Sequence, residues 1–132
     1  MKRHLLLFLY GFIGWLAATA ALRVWGQHVL RPGDLTRTLV LFAFSFPLMA
    51  FLIRRLCSRL RLRREEWLSG AVAILAPMLL LDPFSSAFFP VVFPNMAPEM
   101  AGVFGGWMLW CCAGGLLGTG LLGTIRRRPT TA

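Results

Sequence analysis

Four long apolar runs, separated by short polar and mostly basic stretches, set the pattern of this chain. The first, Leu5 to Leu22, has 18 residues and no charge. As an α-helix it measures about 27 Å, close to the roughly 30 Å hydrocarbon thickness of a bilayer. The second runs from Leu35 to Ile53, with Pro47 inside it as a kink site. The third starts at Trp67, an interface anchor, and carries a second kink site at Pro77. Trp67 to Leu81 covers only about 22 Å, too short to cross. Either the helix continues past Asp82 to about Phe88, or a new one starts there, with Asp82 as N-cap and Pro83 in its first turn. The fourth run, Ala101 to Ile125, has 25 residues and no charge. The fold expected from this pattern is all-α. It is an integral membrane four-helix bundle, a single transmembrane domain over residues 1–132, with a Pro-rich outer segment between helices 3 and 4. Its spans fall at about 5–25, 36–56, 67–88 and 100–125.

The connectors supply the ends of these helices. Arg31-Pro32-Gly33-Asp34 is turn chemistry, and Asp34 suits the N-cap of the second helix. Ile53, Leu56, Cys57 and Leu60 keep helical spacing while Arg54, Arg55, Arg59 and Arg61 take the other faces. That is a helix leaving the hydrocarbon with its arginines reaching for the headgroups. Glu65 and Glu66 suit the positive dipole end of the third helix. Pro98-Glu99 has the character of a start for the fourth. The chain closes with Arg126-Arg127-Arg128 and a polar tail, expected to be disordered. Lys2-Arg3, an apolar core and Ala18-Thr19-Ala20 also fit a cleaved signal peptide. Against that, the apolar run continues past the site, and Gly11, Gly14, Ala18 and Ala21 share one helical face, which favours a retained, packed first helix.

Composition agrees with a membrane chain. Of its 132 residues 58% are hydrophobic and 14% charged, against roughly 25% charged in soluble domains. The net charge of +9 sits between the apolar runs with no aromatic–basic interleaving, so no nucleic acid is expected. The expected partners are the bilayer, anionic lipids at the cytoplasmic face, and a homodimer or membrane-protein contact. Eleven of the 14 basic residues lie in the N-terminus, the second connector and the C-terminal tail, while Arg23, Arg31 and Arg37 lie on the other side. The positive-inside rule then places both termini and the second connector in the cytoplasm. The expected location is a cell inner membrane, multi-pass, with both termini cytoplasmic.

Candidate chemistry is sparse. Cys57, Cys111 and Cys112 form no C-x-x-C pair, and His4 and His28 fall on opposite sides of the membrane, so no metal or cofactor is expected. Ser85 and Ser86 lack a G-x-S-x-G or S-x-x-K setting, and no catalytic residue is assigned. The expectation is a non-enzymatic structural or accessory membrane protein. The alternative is a small oligomeric transporter or channel, with Pro47, Pro77 and Pro83 breaking its helices. In size and span number the chain resembles the small multidrug transporters, whose first span carries an acid that this first span lacks.

Two sets of residues stand out. Asp82 is a carboxylate inside apolar sequence, followed by Pro83, Ser85 and Ser86, at a depth within reach of Arg23. These five form the candidate polar site, with Asp82 either capping a helix or paired with Arg23. Gly11 and Gly14 in the first span, and Gly114, Gly115 and Gly118 in the fourth, are the candidate helix-packing positions. The first and fourth glycine faces are expected to pack on each other within one subunit, a homodimer seam being the alternative.

The run Leu5-Leu6-Leu7-Phe8-Leu9-Tyr10-Gly11-Phe12-Ile13-Gly14-Trp15 and the stretch Leu81 to Glu99, with its Asp-Pro-Phe-Ser-Ser-Ala-Phe-Phe-Pro core, carry a resemblance. Together they resemble a family of small uncharacterised bacterial integral membrane proteins, a domain of unknown function with four predicted helices. The resemblance implies a membrane chain, puts weight on the Asp82 stretch and transfers no activity.

Overall fold

The computed structural model describes residues 1–125. They form α1 (Lys2–Val29), α2 (Leu35–Arg59), α3 (Trp67–Ala87), the short α4 (Phe89–Val92) and α5 (Ala101–Ile125). No strand occurs among the described residues. Among the described residues, four helices are long and apolar enough to cross a membrane. The basic tail 126–132, including the expected disorder there, lies outside the described residues.

The helix starts follow local chemistry. Asp34 caps α2, its carboxylate accepting the Arg37 amide at 3.0 Å. Glu66 closes the turn before α3, accepting the Arg63 amide at 3.0 Å while its own amide donates to the Arg63 carbonyl at 2.8 Å. A single 3-10 turn, Pro98–Met100, leads into α5. The third helix takes the first of the two expected courses. It runs unbroken through Asp82 and Pro83 to Ala87. Capping by Asp82 is therefore corrected: the residue lies inside a helix, where the backbone amides are already paired.

The main helix pairs are not consecutive in sequence. α1 packs on α3, α3 on α5, and α5 on α2, with α2 touching α3 lightly. The middle pair is α3 and α5. In their apolar windows 33% of residues are buried, against 11% in those of the flanking α1 and α2. The flanks present large apolar side chains outward, among them Leu9, Ile13 and Leu16 on α1 and Phe44, Leu48 and Phe51 on α2.

Glycines set how closely these pairs approach. A Cβ on Gly11 would lie 1.8 Å from the Ile74 carbonyl oxygen, so α1 and α3 touch backbone to backbone there. On α5, Gly114 meets the Phe46 backbone and Gly118 meets Ala50, while Gly115 faces Leu75 and Ile53. The expected partner of the α5 glycine face is thereby corrected from the first helix to the second. The contact lies within the chain, and α3 stands between α1 and α5. Gly14 is corrected as a contact within the chain, since an added Cβ there meets nothing within 4 Å.

The bundle has two distinct ends. At the arginine-rich end, Arg3 pairs with Glu66 at 3.4 Å and donates to the Arg61 carbonyl at 3.2 Å, joining the N-terminus to the second connector. Trp67 is anchored by its indole N–H on the Leu62 carbonyl at 3.0 Å, with Arg54 and Arg64 over its ring. A core including Leu7, Ile53, Cys57 and Leu75 fills the bundle above. At the opposite, proline-rich end, Phe89, Phe93 and Phe104 pack ring against ring around Leu30, Met96 and Met100. The prolines of this stretch thus punctuate a folded cap that has its own core.

Candidate functional site

α3 carries Asp82 and Ser86 one turn apart, on a side that faces α5. Gly105 permits that approach: a Cβ there would come within 3.0 Å of the Ser86 hydroxyl oxygen. Asp82 is 7% exposed. Its Oδ1 accepts the indole N–H of Trp15 at 2.9 Å, across the α1–α3 contact. Asp82 and Ser86 also line a cavity of about 200 Å³ between α3 and α5. Its other walls are apolar or soft, among them Met78, Met108 and Cys112. The Ser86 oxygen is buried with no hydrogen-bond partner among the described residues.

Arg23 does not reach Asp82. Its guanidinium donates to the Val92 carbonyl at 3.0 Å and to the Val91 carbonyl at 3.4 Å. Those carbonyls end the short α4, where no helical amide follows to satisfy them. The expected Arg23–Asp82 pair is therefore replaced by two separate contacts. Arg23 still ties the first helix to the Pro-rich stretch, but through backbone. Asn95 adds to this junction, donating to the Leu22 carbonyl at 3.1 Å and to the Gln27 side-chain oxygen.

Ser85 is a helix-interior serine, its hydroxyl donating to the Leu81 carbonyl at 3.2 Å. Pro83 sits beside Asp82 at the cavity wall. Of the five candidate polar residues, Asp82, Pro83 and Ser86 come together at one cavity. Ser85 lies one residue away, and Arg23 belongs to the cap.

Trp15 is a partner that charge alone does not reveal. A signal was present: an indole N–H within an apolar span needs an acceptor. Trp107 and Trp110 behave alike, donating to the Ser45 hydroxyl at 2.7 Å and to the Phe42 carbonyl at 2.8 Å. Both join α5 to α2. Ser45 in turn donates to the Leu41 carbonyl.

Chemically, the cavity offers one carboxylate and one hydroxyl in apolar surroundings. It can accept a hydrogen bond or hold a small cation, and no histidine lines it. No group of three or more His, Cys, Asp or Glu able to hold a metal occurs among the described residues.

Residues 29–125 match the Family of unknown function (DUF5367). The match takes in Asp82, Pro83, Ser85 and Ser86 and begins after Trp15 and Arg23. No curated protein matches the chain. No solved structure matches it either. With most of its length covered, from the end of α1 through α5, the chain belongs to the Family of unknown function (DUF5367).

Proposed function

We propose that this chain is a multi-pass protein of a bacterial inner membrane, with both termini cytoplasmic and a non-enzymatic structural or accessory role. The observation that carries this reading is how the polar groups inside the spans are used. Trp15–Asp82, Trp107–Ser45 and Trp110–Phe42 each join one long helix to another. Groups that line a conducting path need to stay open to solute; these are committed to neighbours. The apolar side chains exposed on α1 and α2 support lipid or another membrane protein as their covering. Eleven basic residues lie on the N-terminal, second-connector and tail side, which supports cytoplasmic termini and contact with anionic lipid there. Gly14 and Gly102, where an added Cβ meets nothing within 4 Å, leave room for a second copy or a partner helix.

A small transporter or channel is the second reading, favoured by the Asp82–Ser86 cavity and by the prolines inside α2 and α3. Two experiments separate the readings. Affinity purification from native membranes yields a stoichiometric protein partner on the first. Reconstitution into vesicles yields solute flux abolished by Asp82→Asn on the second, and such flux refutes the first.

A further inference from the structure

α1 and α2 are consecutive, yet they do not pack along their lengths. Between them runs an open groove of about 570 Å³. Tyr10, Gly14 and Ala18 of α1 form one wall, Leu52 and Leu56 of α2 the other, and Met78 of α3 lies between. Gly14 and Ala18 keep the α1 wall low, so the groove opens sideways. From Met49 to Arg59 it extends about 15 Å along α2, half of the roughly 30 Å hydrocarbon thickness. It therefore has the length of one leaflet and not of the whole bilayer.

Its two ends differ. The end toward the bundle middle is apolar. The other carries Arg55 and Arg59, one turn apart on α2 and both lining the groove. Neither has an acidic partner among the described residues. The nearby acids are already engaged, Glu66 by Arg3 and Glu65 by Arg63. Two further arginines of this stretch are also placed elsewhere: Arg54 and Arg64 lie over Trp67.

An apolar slot one leaflet long, with two unpaired guanidiniums at headgroup height, has the shape and charge of an anionic phospholipid. We infer that this groove holds one such lipid from the leaflet at the arginine-rich end, its chains between α1 and α2 and its phosphate on Arg55 and Arg59. The inference rests on the chain being membrane-embedded and on neither choice between scaffold and transporter. A lipid held there fills the gap that the sequence-adjacent helices leave.

Native mass spectrometry of the full chain in mild detergent tests it, titrating phosphatidylglycerol against phosphatidylcholine. Wild type is expected to bind one phosphatidylglycerol in preference to phosphatidylcholine. Arg55→Gln/Arg59→Gln should weaken that binding about thirtyfold, each arginine near an anionic surface contributing roughly fivefold. Both side chains are exposed, so the variant should keep the wild-type melting temperature in lipid-free detergent. Gly14→Leu, whose Cβ meets nothing within 4 Å and whose side chain would narrow the groove, should also weaken it. Lys2→Gln/Arg63→Gln removes the same charge outside the groove and should change affinity by less than threefold. Equal weakening in the two double variants would mean surface attraction only and overturn the site. A lipid-free dimer that Gly14→Leu dissociates would assign the groove to a second copy and overturn it too. A chain that needs detergent for extraction yet binds no phosphatidylglycerol refutes the lipid site alone. Recovery without detergent refutes the membrane reading itself.

Discussion

The indole nitrogen of Trp15 lies 2.9 Å from Oδ1 of Asp82, joining α1 to α3 deep in the apolar part of the bundle. The bond gives the buried carboxyl group a donor. Burying a polar group without a partner costs about 1–3 kcal/mol on protein scales, and more in hydrocarbon. Trp15 supplies a donor that is itself mostly apolar ring, so the pair adds little further polarity to the span.

The backbone contact at Gly11 predicts an asymmetry between two glycines of α1. Gly11→Ala should lower thermal stability in detergent by at least the roughly 1–3 kcal/mol of an overpacked site. Its Cβ would lie 1.8 Å from a backbone oxygen that cannot step aside. Gly14→Ala, facing open space, should be neutral or stabilising by up to about 1 kcal/mol from helix propensity. Melting curves of the two variants decide this, and equal losses would contradict the α1–α3 contact.

On α5 the same reasoning separates Gly114 and Gly118 from Gly102. A Cβ at Gly114 would come within 2.6 Å of the Phe46 carbonyl oxygen, and one at Gly118 within 2.3 Å of the Ala50 Cβ. Gly114→Leu and Gly118→Leu should both disrupt the α2–α5 pairing, seen as loss of a cross-link between cysteines placed on those helices. Gly102→Leu should leave that cross-link intact.

Arg23 should act locally. Arg23→Gln removes two hydrogen bonds to the end of α4 and should cost about 1 kcal/mol, the net worth of a typical hydrogen bond at an exposed site. Amide exchange at residues 93–96 should quicken, while exchange in the middle of α3 stays slow. Faster exchange around Asp82 would instead reinstate the Arg23–Asp82 pair.

Orientation is open to a simple test. Reporter fusions after Arg64 should report cytoplasm and fusions near Gly33 the opposite side, because these positions lie at opposite ends of the bundle. A cytoplasmic signal from Gly33 would contradict the four-span arrangement.

The four long apolar helices were legible in the sequence because hydropathy and length act on each helix separately. Asp34 and Pro98 were legible as helix starts for the same reason: capping is local chemistry. The neighbours of each helix were not legible. A small-residue face states that a backbone comes close and leaves open whose backbone it is, so the glycines of α5 fitted α1 as well as their actual partner α2. Asp82 shows the same limit. Rise per residue fixes depth along a helix, and Arg23 stands at a workable depth. Depth does not fix rotation about the axis, and it cannot reveal that α4 ends in two carbonyls in need of a donor. Trp15 was not legible from charge, since indole carries none, although its N–H needs an acceptor as surely as a carboxylate needs a donor.

That buried polar groups here hold helices together is tested most directly by a double-mutant cycle on the opening pair. Trp15→Phe, Asp82→Leu and the double variant are compared by unfolding free energy in detergent. Trp15→Phe alone strands a buried carboxylate, and Asp82→Leu alone strands an indole N–H. The double variant should therefore be more stable than the summed single losses imply, by about 1–2 kcal/mol. Losses that add to within about 0.5 kcal/mol would show that the two residues do not interact and would contradict the tie between α1 and α3.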